Sequence, residues 1–180
     1  AGTQMVLTIL GLGNPSAEFQ NELESRIGEW EAWDDSHNGG WGPAAIAQAL
    51  ASYGAKGYEV RAYQVRGQAL LEGGKPLEAI APLRKAVQLS NNSPLIEMLL
   101  GQALVAADNK AYTDEAITIL RAALARESEA PIGYMQLAMA YGRKGDYAQA
   151  DLASAQAAYL RGDNKTARDL ASRAKTRFAI

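Results

Sequence analysis

Apolar residues recur at helical spacing over most of the chain. Leu77, Ile80, Leu83 and Val87 trace one face of a segment that opens at Pro76. Stop signals punctuate the pattern. Gly73-Gly74 ends one segment, and Pro76 suits the first turn of the next, where a missing N–H costs nothing. Asn92-Ser93-Pro94, Glu129-Ala130-Pro131, Gly145-Asp146 and Gly162-Asp163-Asn164 mark further breaks. The spacing predicts helices over 61–72, 76–89, 94–107, 112–126, 131–144, 147–161 and 164–177. Pro82 falls inside the second and should bend it by removing one backbone hydrogen bond. Upstream, Met5 to Leu10 reads as a short strand. Residues 16–33 read as a helix with Phe19, Leu23, Ile27, Trp30 and Trp33 on one face, opposite Glu22, Glu24 and Glu31. The stretch from Trp33 to Trp41, with Asp34, Asp35 and His37, reads as a linker. A short helix over 43–53 follows it, opened by Pro43.

The downstream helices repeat. From Gly67, Ala79, Leu83 and Ala86 follow at twelve, sixteen and nineteen positions. From Gly101, 34 positions on, Ala116, Leu120 and Ala123 keep the same small–bulky–small order, with three extra residues between the helices. From Ala138 the set is Ala150, Ser154 and Ala157. Leu70, Leu104 and Tyr141 sit three after each start, and Tyr63 and Tyr134 sit four before. A small residue at a helix crossing lets two backbones approach, and a bulky one fills the space beside them. Each pair buries only part of its apolar surface, so the pairs stack.

Charge divides the chain. Residues 1–57 carry two basic residues, Arg26 and Lys56, against seven acidic ones, and all three tryptophans. Residues 58–180 carry the other sixteen basic residues and thirteen acidic ones. The expected organisation is an acidic N-terminal segment, 1–57, and a repeat domain, 58–180. The overall charge of −2 argues against a nucleic-acid partner. With no cysteine, disulfides and thiol chemistry are excluded. The single histidine, His37, cannot supply a two-histidine zinc motif. No apolar run reaches the length that spans a bilayer, and the N-terminus lacks a signal-peptide pattern, which suits a processed or truncated fragment.

The helix pairs resemble tetratricopeptide repeats over roughly 60–178, with departures at Arg66 and Glu97. The resemblance implies an all-α superhelix of about three repeats plus a capping helix. It also implies a partner-binding groove lined by the first helix of each pair. The groove positions would be Arg61, Gln64 and Gln68, then Leu95, Met98 and Gln102, then Ile132, Met135 and Met139. Methionine suits a surface that adapts to varied apolar segments, and equally suits packing between repeats. The family's carboxylate clamp uses lysine and asparagine at such positions. Their absence argues against capture of a peptide C-terminus. The last helix carries Arg161, Lys165, Arg168, Arg173, Lys175 and Arg177 against Asp163 and Asp169. It reads as a solvated cap, with an acidic partner or anionic lipid as the other reading.

A narrower resemblance rests on Gly67-Gln68-Ala69-Leu70-Leu71-Glu72-Gly73-Gly74-Lys75-Pro76, on the run from Ala138 to Asp146, and on the run from Ala150 to Ala158. These are similar to the C-terminal repeats of bacterial periplasmic zinc metallopeptidases of the barrel-assembly-enhancing type. That resemblance implies a non-catalytic repeat portion that binds partner or client polypeptides in the periplasm. Zinc would be held by a parent enzyme and no cofactor by this chain, so no catalytic or metal-ligating residue is carried over. An alternative lies in Gly11-Leu12-Gly13-Asn14-Pro15, which with Phe19 resembles the opening of bacterial peptidyl-tRNA hydrolases and half-resembles a nucleotide-binding glycine loop. His37-Asn38 comes late for that chemistry, and no further strands follow.

Overall fold

A computed structural model describes residues 7, 12–13, 16–26, 46, 49–50, 52–54 and 58–179. The described residues form eight helices and no strand: α1 (Ala17–Ser25), α2 (Tyr58–Glu72), α3 (Pro76–Leu89), α4 (Pro94–Ala106), α5 (Lys110–Arg126), α6 (Pro131–Lys144), α7 (Tyr147–Leu160) and α8 (Asn164–Phe178). The seven downstream helices fall where the stop signals place them. Pro76, Pro94 and Pro131 each open a helix at its first turn. Gly145, at φ 84°, closes α6 in a left-handed turn: its N–H bonds the Gly142 carbonyl at 3.1 Å, and the Asp146 N–H bonds the Tyr141 carbonyl at 3.0 Å. The side chains of Asp146 and Asp163 then cap α7 and α8. Pro82 is buried inside an uninterrupted α3.

Helices α2–α3, α4–α5 and α6–α7 form three antiparallel pairs, and α8 packs on α7. The first helices also touch one another across units, α2 with α4 and α4 with α6, so they make a continuous inner row. The second helices, α3, α5 and α7, have no comparable backbone approach to one another; α3 and α5 each pack on the first helix of the next unit instead. The result is an all-α superhelix.

Two crossings show why small residues recur. A methyl group on Gly67 would collide with the Leu83 side chain, and one on Gly101 would fall 2.5 Å from Cδ2 of Leu120. Leu83 and Leu120 are fully buried there. The third unit reaches the same crossing with the opposite distribution of bulk, Ala138 facing Ser154.

The middle unit corrects one expectation. Its three extra residues do not lengthen the connection. They extend α5 to 17 residues, against 14 in α3 and α7, from a start capped by the Asn109 side chain. Glu97 stands where the other units carry Tyr63 and Tyr134, and packing is kept by different means. Its buried carboxylate pairs with Arg126 of α5, which also donates to the Asn92 carbonyl at 2.6 Å.

Buried apolar residues form two clusters. The larger runs through the pairs from Ala79 to Ala153. The smaller gathers Leu7, Phe19, Leu23, Ala49 and Leu50, with Ile46 and Tyr53 against it. There the Phe19 and Tyr53 rings meet edge-on at 5.3 Å, and the Tyr53 hydroxyl donates to Glu22. The helix expected over 16–33 is described as far as Ser25, with Phe19 and Leu23 buried as its pattern requires. Ile27, Trp30, Trp33 and the linker to Trp41 lie outside the described residues. Of the strand expected over 5–10 only Leu7 is described, and it is helical.

Candidate functional site

The nine positions expected to line the inner face divide by chemistry. In α2, Arg61 donates to Gln64 at 3.3 Å and Gln68 donates to Glu72 at 2.9 Å, giving a polar row bonded within its own helix. In α4 and α6 the row turns apolar. Leu95 and Ile132 are each 67% exposed, and Met135 and Met139 are exposed beside them. Such side chains face water only at a free-energy cost, which an apolar partner segment would recover.

Met98 differs from the rest. It is only 8% exposed. Its sulfur and Cδ2 of Leu124 both lie 2.9 Å from where a Cβ on Gly133 would sit. The absent side chain at Gly133 draws α6 close to α4 and α5, and Met98 packs into that junction. It joins the core cluster and shows only an edge to the inner face.

Two depressions follow. One lies between α4 and α6, bordered by Leu95, Met98, Leu99, Gln102, Ile132 and Gln136. The other lies between α6, α7 and α8, bordered by Met135, Met139, Ser154, Ala157, Arg161 and Leu170. The structure therefore brings Leu95, Met98, Gln102 and Ile132 together, and Met135 with Met139 separately. Arg61, Gln64 and Gln68 border neither depression.

The second depression holds residues that the groove pattern did not single out. Ser154 takes the place that Leu83 and Leu120 fill in the other units, so its small side chain leaves room beside Ala138. Arg161 caps the end of α7 rather than joining α8, and its Nη1 lies 2.7 Å from the Met135 sulfur. The break in the small–bulky–small order at Ser154 was the available signal. An apolar depression with one guanidinium at its rim suits an aliphatic side chain next to a carboxylate.

Electrostatics in the repeats serve architecture. Asp151 of α7 is buried and clasped from α8: Arg173 Nε donates to it at 2.8 Å, and Arg177 Nη1 lies 2.7 Å away. The Arg173 hydrogen bond holds its carboxyl below the usual aspartate range, against burial. Glu97 goes the other way. Burial pushes its carboxyl above the usual range, and Arg126 only partly offsets that.

The glycine loop upstream has a packing explanation at the position described. The Phe19 ring occupies the space a Cβ on Gly13 would need, and Leu7 lies behind it. Gly11, Asn14, Pro15, His37 and Asn38 lie outside the described residues. Among the described residues no helix is long and apolar enough to cross a membrane.

The helix-pair geometry and the sequence agree on a class. A family model described as tetratricopeptide repeat matches residues 60–93 and 133–164, the first and third units. The fold is an all-α superhelix of the tetratricopeptide type, and such repeats generally mediate protein–protein interaction. The middle unit, with its longer α5, falls between the matched stretches. No curated protein matches the chain.

Proposed function

We propose that this chain is a binding scaffold whose inner face holds an apolar segment of a partner polypeptide. The supporting observation is the exposure of apolar side chains on adjacent first helices, Leu95 and Ile132 at one depression and Met135 and Met139 at the next. Two flexible methionines let that surface fit varied guests. The polar row on α2 limits the apolar contact to the second and third units.

At a finer level, the chain serves as the non-catalytic repeat portion of a periplasmic zinc metallopeptidase, presenting clients to a catalytic domain that carries the zinc. This reading rests on the three sequence runs beginning at Gly67, Ala138 and Ala150. An H-E-x-x-H motif upstream in the parent reading frame is the expected finding, and a parent without one removes the reading.

The scaffold role is tested with a labelled, permanently unfolded outer-membrane polypeptide. A Leu95→Ser, Ile132→Ser, Met139→Ser variant should keep its helical content and lose affinity by about tenfold or more, roughly the worth of burying one aliphatic side chain. Unchanged affinity would remove the inner-face assignment.

A further inference from the structure

We infer that the channel between α7 and α8 is a separate docking surface, and that its occupant is an acidic amphipathic helix of a partner polypeptide. In α6, Gly133 and Ala140 are buried. Thirty-four positions on, Ala167 and Ala174 are the buried residues of α8, so α8 continues the array as the first helix of a fourth unit. In α6 the positions toward its own second helix are Tyr134, Leu137, Ala138 and Tyr141. In α8 the same positions are Arg168, Ala171, Ser172 and Lys175, and all four are exposed.

The facing side of α7 has changed in the opposite sense. Its strip toward the next second helix is Leu152, Ala155 and Tyr159. The same strip reads Ala81, Arg84 and Gln88 in α3, and Thr118, Arg121 and Ala125 in α5. In α3 that strip is ion-paired, Arg84 with Glu115 at 2.7 Å. In α7 it is apolar and open, with Leu152 47% and Tyr159 62% exposed. Leu152, Ala155, Tyr159, Ala167, Arg168 and Ala171 all border one channel.

This channel has an apolar wall on α7; its α8 wall is Asn164, Ala167, Arg168 and Ala171, with one guanidinium, Arg168, and Lys175 exposed a turn past Ala171 on the same helix face. Its shape is the one the array fills with a helix in every earlier unit. Lys165, Arg168 and Lys175 make no ion pair among the described residues; Arg168 donates only to the Asn164 carbonyl of its own helix, at 3.2 Å. A guest helix with an apolar stripe toward Leu152 and Tyr159, and carboxylates toward Arg168 and Lys175, satisfies both walls. A second copy of α8 would set like charges against each other.

The experiment uses the full chain and a stapled helical probe of about 15 residues, with a leucine–alanine stripe flanked by glutamates. Fluorescence anisotropy at low salt should show saturable binding that weakens as salt rises. An Arg168→Glu, Lys175→Glu variant should weaken it by about tenfold or more, and a lysine-for-glutamate probe should bind that variant instead. Tyr159→Ser should also weaken it. Leu95→Ser with Ile132→Ser should leave it unchanged, which separates this surface from the inner face. Circular dichroism confirms that each variant is folded. The proposal fails if binding is not saturable, if a scrambled probe of equal charge binds as well, or if the charge reversal has no effect. Binding to phosphatidylglycerol-containing vesicles through the same residues, without probe binding, assigns the surface to a membrane and overturns it too.

Discussion

Glu97 and Arg126 stand 29 positions apart, on opposite helices of the middle unit, and form an ion pair where the flanking units carry an aromatic ring. The carboxylate is buried and the guanidinium half-exposed, so the pair joins the core to the surface. Removing Arg126 leaves the carboxylate without its partner. An Arg126→Met variant should lose about 1–3 kcal/mol in urea unfolding. Adding Glu97→Tyr, which copies the other units, should restore most of it. The folded Glu97 carboxyl titrates above its unfolded value, so its contribution is present below the unfolded value and lost as pH rises through the folded one. That loss should be steeper in Arg126→Met.

The crossings exchange bulk between partners. Gly101→Ala should destabilise by about 1–3 kcal/mol, because the added methyl meets Leu120. Combining it with Leu120→Ser, which reproduces the Ala138 and Ser154 pairing, should cost less than the two single changes together. Strict additivity in a double-mutant cycle would count against the shared crossing.

Met98 and Ile132 border the same depression and should respond differently. Met98→Ala should cost about 2–5 kcal/mol, as expected for a methionine packed among Leu124 and Gly133. Ile132→Ser should stay within about 0.5 kcal/mol while weakening partner binding. Thermal melts beside binding isotherms make the comparison.

Asp151 makes the docking of α8 sensitive to acid. Its folded carboxyl titrates below the unfolded value. The stability it supplies is therefore full above the unfolded value and lost as pH falls through the folded one. Melting temperature should drop as pH falls from about 4. Asp151→Asn should start lower and show a shallower acid limb. An identical limb in both proteins would place the acid sensitivity elsewhere.

Helix boundaries were legible because glycine, proline and aspartate mark them in the chain itself. Gly145 shows a left-handed turn, Pro131 opens a helix, and Asp163 caps one. The small–bulky–small order was legible for the same reason, since Gly67 and Gly101 tolerate nothing larger. Partners that meet only in space were harder to read. Arg66 and Glu97 looked like departures from the pattern, yet Glu97 has an answer one hairpin away in Arg126. Met98 reads as inner-face lining from its helix position alone. Its burial depends on Gly133 of the next unit, whose missing side chain brings α6 within reach. The three extra residues suggested a longer connection and a helix from 112, but Asn109 supplies a cap and the helix starts at Lys110. Upstream, local patterns placed Phe19 and Leu23 correctly. They did not identify Gly13 as the seat of the Phe19 ring, which needs the tertiary approach.

The single inner row has a mechanical corollary. First helices touch across units and α3 and α5 pack on the next first helix, whereas α3 and α5 are joined to each other by the half-exposed Arg84–Glu115 bridge. Packed helices thus form the spine of the array, and the bridge between α3 and α5 acts as an electrostatic stay on its other side. Screening loosens surface ion pairs far more than packed helices. Ionic strength should therefore tune how tightly the coil winds around whatever it holds.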